Sequence, residues 1–193
     1  MEGLILNLLG DSHVNTYSLC ENTRSYLVGD DLSINNLKKY TKKVLKTIDS
    51  RKHEPWLFII GERDCRKHMF VESIETKEAL DGVIEQYVTK LVRFLSILNT
   101  TYTVYGVSVS PTGECNDTEC DYLAPREVRQ VITAKYNARL QIISRQSGVP
   151  YLGIWKLGAA PKDVCPIDMF EEDKYHIKAE IASKKLDESL KFL

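Results

Sequence analysis

Short, mostly apolar runs alternate along this chain with longer stretches in which apolar residues recur every three or four positions. Leu4–Leu9, Trp56–Ile60, Tyr102–Val109 and Tyr151–Trp155 are the runs, and Ser25–Gly29 is a briefer β-prone one. Strands buried on both faces have this continuous apolar character. Between them, Ser33–Ile48 is apolar at 34, 37, 44, 45 and 48, with lysines at 38, 39, 42, 43 and 46. That spacing predicts an amphipathic helix with a basic, solvated outer face. Glu78–Leu98 and Arg126–Ser144 repeat the helical period, Gly148-Val149-Pro150 ends the second, and Ile177–Phe192 closes the chain as a helix.

Strands that alternate with helices, and are apolar on both faces, predict a parallel sheet in a three-layer α/β/α sandwich. Right-handed crossovers put helices on both faces. No repeat, low-complexity tract or linker interrupts the pattern, so residues 1–193 are read as a single domain. In such a sheet every strand's C-terminal end emerges on one edge, where open α/β sheets bind ligands. Ser12, Gly29, the segment 61–68, the segment 110–121 and the loop 156–176 are therefore expected to converge.

Composition narrows the setting. A net charge of -1 gives no reason to expect nucleic acid or an anionic membrane as partner. No apolar stretch approaches membrane-spanning length, and the N-terminal run lacks a basic segment before it or a small-residue cleavage site after it. The five cysteines are odd in number and contain no CxxC pair, which fits a reducing compartment. The expectation is a cytoplasmic protein, with its oligomeric state left open. No phosphate-binding glycine loop is present, and no cofactor is called for.

The chemistry centres on Gly10-Asp11-Ser12-His13, where the first apolar run ends abruptly. Gly10 permits a sharp turn, and Asp11 or Ser12 can cap a following helix. Ser12 is thus either a turn residue or a nucleophile, and a serine nucleophile needs a base. His176 lies on the predicted edge, and Asp173, three residues earlier, can share its face on a helical turn. The alternative is that Glu171-Glu172-Asp173 is merely an acidic first helix turn. His13 and His68 also fall on the edge and can bind substrate or metal, though no metal-ligand spacing is evident. Cys115 and Cys120 share a loop and can pair, or bind zinc with His68. Cys65 is a weaker nucleophile candidate, and Tyr122, Tyr151 and Trp155 are pocket candidates, with core packing the better reading of Trp155.

Gly10-Asp11-Ser12, the GxxD of Gly61-Glu62-Arg63-Asp64 and Asp173-x-x-His176 resemble, in this order, the blocks of the SGNH (GDSL-type) hydrolases. Tyr136–Leu140 followed by Gly148–Leu152 resembles that family's penultimate helix and last strand. The resemblance implies a five-stranded sheet of flavodoxin-like order 2-1-3-4-5, with Ser12 as nucleophile, His176 as base and Asp173 as its orienting acid. It also implies an oxyanion hole from the backbone N–H of Ser12, a glycine matched best by Gly29, and an asparagine in the GxND block. Arg63 stands at that asparagine position. Either Arg63 or Arg66 can donate to an oxyanion, or an arginine can instead hold Glu62 in a structural pair.

The function expected from this resemblance is a serine esterase acting on a small-molecule or glycan ester such as a carbohydrate O-acetyl group. Two alternatives use the same parts. One is acyl transfer to an acceptor other than water; the other is a non-catalytic binding or structural module on the same scaffold, for which Arg63 is the main argument.

Overall fold

The computed structural model describes residues 5–98, 104–107, 124–155, 169 and 176–191. Its strands are β1 (Leu6–Gly10), β2 (Thr23–Leu27), β3 (Trp56–Ile59), β4 (Val104–Val107) and β5 (Tyr151–Leu152). They form one five-stranded sheet of order β2-β1-β3-β4-β5, parallel at every pairing. The expected fold class and strand order are both borne out. The helices are α1 (Leu37–Asp49), α2 (Met69–Thr76), α3 (Leu80–Leu98), α4 (Arg126–Gln146) and α5 (Ala179–Leu190). Among the described residues, no helix is long and apolar enough to cross a membrane.

The two-residue period of the strands splits the core in two. Leu9, Trp56 and Phe58 face one side, where they pack with Val44 and Ile48 of α1, Tyr87 and Leu91 of α3, and Tyr136 and Leu140 of α4. Leu8, Leu57 and Ile59 face the other, against Val14, Tyr17, Trp155 and, from α5, Ala182 and Leu186. The β1–β3 register places Leu8 beside Leu57 and Leu9 beside Phe58, so each face is continuous across the two central strands. Each such buried side chain contributes roughly 1.5–3 kcal/mol. Their near-continuous apolar sequence follows from having a helical layer on both sides.

The structure departs from the predicted elements in several places, the last strand for instance ending at Leu152 rather than Trp155. β2 covers Thr23–Leu27 rather than Ser25–Gly29, because its register is set by pairing Thr23 through Leu27 with Leu6 through Gly10. That leaves Gly29 just beyond the strand, on the edge. The helix expected from Ser33 begins as a 3₁₀ turn at Ile34–Asn36 and becomes α-helical only at Leu37. There the Asn36 side chain accepts from the Ser33 N–H, and the buried Asp64 carboxylate takes the N–H of Ile34 at 2.9 Å. Finally, a π-helical turn at Asp64–His68 leads into α2, a helix the periodicity did not predict. Only Met69 of α2 is fully buried, so its apolar stripe is too short to read.

Two glycines at the sheet edge are required by geometry. A Cβ on Gly10 would lie 1.8 Å from the carbonyl oxygen of Ile59, so β1 can approach β3 here only without a side chain. Gly61 adopts φ 116°, a left-handed conformation that turns the chain off β3.

Candidate active site

β1 delivers Ser12 to the edge through a turn built by its neighbour. The Asp11 side chain caps a 3₁₀ helix over Ser12–Tyr17, with Oδ1 accepting from the His13 N–H at 2.9 Å. Asp11 is thus the capping residue, and Ser12 is released to the first helical position, where it is half-buried. His176 arrives from the far end of the chain, just ahead of α5. Its Nε2 lies 3.1 Å from Ser12 Oγ, across 164 residues of sequence. That distance is within hydrogen-bond reach of a nucleophile–base pair. Asp173 lies outside the described residues, as do Glu171, Glu172, Asp168, Cys115, Cys120 and Tyr122.

His13 sits directly behind this pair. Its ring stacks on that of His176, with centroids 4.6 Å apart and planes tilted by 38°. His13 Nδ1 lies 3.0 Å from Asp11 Oδ1, and Nε2 lies 3.4 Å from Glu62 Oε2, an ion-pair contact without good hydrogen-bond alignment. Burial pulls the imidazole pKa down, but the two carboxylates outweigh it and push it up to about 9. His13 is therefore an imidazolium at neutral pH. Glu62 is itself buried and accepts from Arg66 Nε, with Nε–Oε1 at 3.1 Å and Nε–Oε2 at 3.3 Å. Asp11, His13, Glu62 and Arg66 form a row of alternating charge beneath the edge.

The rest of the 61–68 segment ties loops together. Asp64 is fully buried; burial raises its carboxyl pKa, opposed by the His68 ring at 3.1 Å and by the Ile34 N–H. It pins the turn after β3 to the loop after β2. Arg63 reaches the same loop, donating from Nη1 to the carbonyl of Asp30 at 3.3 Å, next to Gly29. Of the two arginines, Arg66 makes the pair with Glu62 and Arg63 does not. Gly29 lies against Tyr40, whose hydroxyl would stand 2.8 Å from a Cβ there.

Several other candidates find different places. Cys65 is fully buried in the core, and burial holds its thiol well above the usual range, which removes it as a nucleophile. Trp155 packs in the core and donates to the Tyr17 hydroxyl at 3.3 Å, and Tyr151 packs half-buried against the core on the opposite face of the sheet. His68 is engaged with Asp64, and among the described residues no cluster of His, Cys, Asp or Glu has the makings of a metal site. The residues that sequence reasoning left unjoined are His13, Asp11 and Glu62. The available signal was that a histidine and a glutamate lie just past the first and third predicted strands, on the same predicted edge.

No family model matches the chain, and no curated protein matches it in sequence. Solved structures do match in shape. The native aryl esterase of M. smegmatis superimposes with a TM-score of 0.62 at 12% identity, covering 98% of this chain and 99% of that one. A member of the lipolytic protein G-D-S-L family from Veillonella parvula gives 0.59 at 12% identity, over 98% and 100% of the two chains. A catalytic mutant of an acetylxylan esterase from Geobacillus stearothermophilus gives 0.60 at 10% identity, over 99% and 95%. Over nearly the full length of both partners in each comparison, the chain shares the fold of these esterases and of this lipolytic G-D-S-L family protein.

Proposed function

We propose that this protein is a serine esterase of the SGNH type that hydrolyses a small acyl ester. The observation that carries the reading is the 3.1 Å approach of His176 Nε2 to Ser12 Oγ at the C-terminal edge of the sheet. A serine hydroxyl is a poor nucleophile until a base takes its proton. In the proposed reaction Ser12 Oγ attacks the ester carbonyl carbon while its proton passes to His176 Nε2. The tetrahedral intermediate collapses as His176 returns the proton to the leaving alcohol. Water then attacks the acyl-enzyme with His176 again as base, which releases the acid and restores Ser12. Asp173 is proposed to orient His176 and to stabilise the imidazolium that forms.

The developing oxyanion needs donors aimed at it. The backbone N–H groups of Ser12 and Gly29 are proposed for two. For the third, Arg63 is the better-placed guanidinium, because it bonds the carbonyl next to Gly29, whereas Arg66 is turned to Glu62. The substrate class proposed is an O-acyl ester on a small molecule or glycan, a class to which the acetylxylan substrate named for one structural neighbour belongs.

The test is labelling by a fluorophosphonate probe, which needs an activated serine but no known substrate. The wild-type protein is expected to label and Ser12→Ala not to. Absence of labelling in correctly folded wild-type protein refutes the esterase reading and favours a non-catalytic scaffold. Labelling that persists in Ser12→Ala would remove Ser12 from its role.

A further inference from the structure

The His13–Glu62 contact joins the residue after Ser12 and the residue after Gly61 into one device. In Gly10-Asp11-Ser12-His13 a histidine follows the nucleophile, and in Gly61-Glu62-Arg63-Asp64 a glutamate follows the glycine. The fold brings these two side chains together from the ends of adjacent strands, β1 and β3. We propose that His13 is a positioning residue for the general base: clamped between Asp11 and Glu62, it forms the wall on which the His176 imidazole stacks in line with Ser12 Oγ. This rests on the esterase reading for its kinetic meaning, though not for its geometry.

Three observations carry it. First, the His13 ring is held at both nitrogens by carboxylates, and its own N–H is bonded to Asp11 Oδ1, so it has little freedom to rotate. Second, this held ring is the one at 4.6 Å from His176, within the range of favourable aromatic stacking. His176 must keep Nε2 within reach of Ser12 through two proton transfers, and an imidazole with a loose ring plane would not. Third, the charges cancel. His176 becomes an imidazolium in the transition state, and a lone cation 4.6 Å away would oppose it. Asp11 and Glu62 offset His13 and Arg66, so the wall orients the base without a net like charge against it. Arg66 has a part in this as the group that neutralises and fixes Glu62.

The experiment uses hydrolysis of p-nitrophenyl acetate, with kcat expressed per active site titrated by the fluorophosphonate. His13→Gln is expected to lower kcat about 10²-fold with KM little changed, the scale on which misplacing a catalytic group by an ångström acts. Glu62→Gln, nearly isosteric, is expected to lower kcat about 10-fold. The double variant should lose no more than His13→Gln alone, because both act through one contact. Kcat within twofold of wild type in His13→Gln overturns the proposal, as does a loss carried by KM or a double variant whose losses multiply. A purely structural His13 would reduce the titratable fraction and the melting temperature but leave kcat per titrated site unchanged. Should His13→Gln not fold, Glu62→Gln decides alone by the same criteria. If wild-type Ser12 does not label, the esterase reading fails separately. Crystal structures of the variants then judge the positioning: His176 displaced from Ser12 supports it, and His176 unmoved refutes it.

Discussion

The most direct physical consequence of this arrangement is a pH dependence of stability that needs no catalysis to observe. His13 has an ordinary pKa of 6.5, expected when the chain is unfolded, and about 9 when folded between Asp11 and Glu62. A group whose pKa is raised on folding contributes its full stabilisation below 6.5 and loses it as pH rises through about 9. The rise corresponds to roughly 3 kcal/mol in all. Between pH 6.5 and 8.5, about 2 kcal/mol of this should disappear, which for a chain of this size lowers Tm by roughly 4–8 °C. The assay is thermal and urea unfolding across that window, in wild type and in His13→Asn. The variant should be less stable at pH 6.5, and its own stability should change little over the same range. Restricting the window to pH 8.5 and below keeps most of the thiol titration out of the measurement. A wild-type Tm flat from 6.5 to 8.5, or an equal slope in the variant, would refute the buried imidazolium. Glu62→Gln provides an intermediate check, since removing one of the two carboxylates should shrink the slope without abolishing it.

Three further outcomes are expected. Gly10→Ala should destabilise the protein by about 3 kcal/mol, read from the urea midpoint, because its Cβ meets the Ile59 carbonyl oxygen at 1.8 Å and backbone must move to admit it. A cost under about 1 kcal/mol would mean β1 and β3 separate easily. Arg63→Ala and Arg66→Ala should divide by role in kinetics and melts. Arg63→Ala should lower kcat about 10²–10³-fold with near-normal Tm. Arg66→Ala should cost about 1.5–3 kcal/mol of stability by leaving Glu62 short of a charged donor. If both variants keep wild-type kcat, neither guanidinium serves the oxyanion and the backbone donors suffice. Asp173→Asn should leave the fold intact and lower kcat by up to about 10⁴, as expected when a base loses its orienting carboxylate; unchanged kinetics would remove Asp173 from the mechanism.

Much of the architecture was determined by sequence because it depends on local pattern. Runs such as Trp56–Ile60 are apolar at every position, which suits only strands covered on both faces, and the helical period of 80–98 and 126–146 follows from one buried stripe each. From those two facts the parallel sheet and its convergent edge follow, and with them the meeting of Ser12 and His176. Other features depend on partners distant in sequence. The turn that leads into α1 is capped from far along the chain, where the Asp64 carboxylate accepts from the N–H of Ile34. β2 shifts by two residues because β1 sets its register, and α2 went unseen because it buries too little to leave a period. At the site, local spacing singled out candidates such as Ser12, His176 and the 61–68 segment but not what each one touches. His13 read alone is a histidine beside a serine; it becomes a clamped imidazolium only because β3 carries Glu62 to the same edge. Arg63 and Arg66 were equivalent candidates by residue type. Their separation is geometric: one helical turn brings Arg66 back onto Glu62, while Arg63 points across to the loop after β2. Residue type and period determine which side chains reach the edge, whereas electrostatic partnership depends on ångström-scale distances that only the packed sheet supplies.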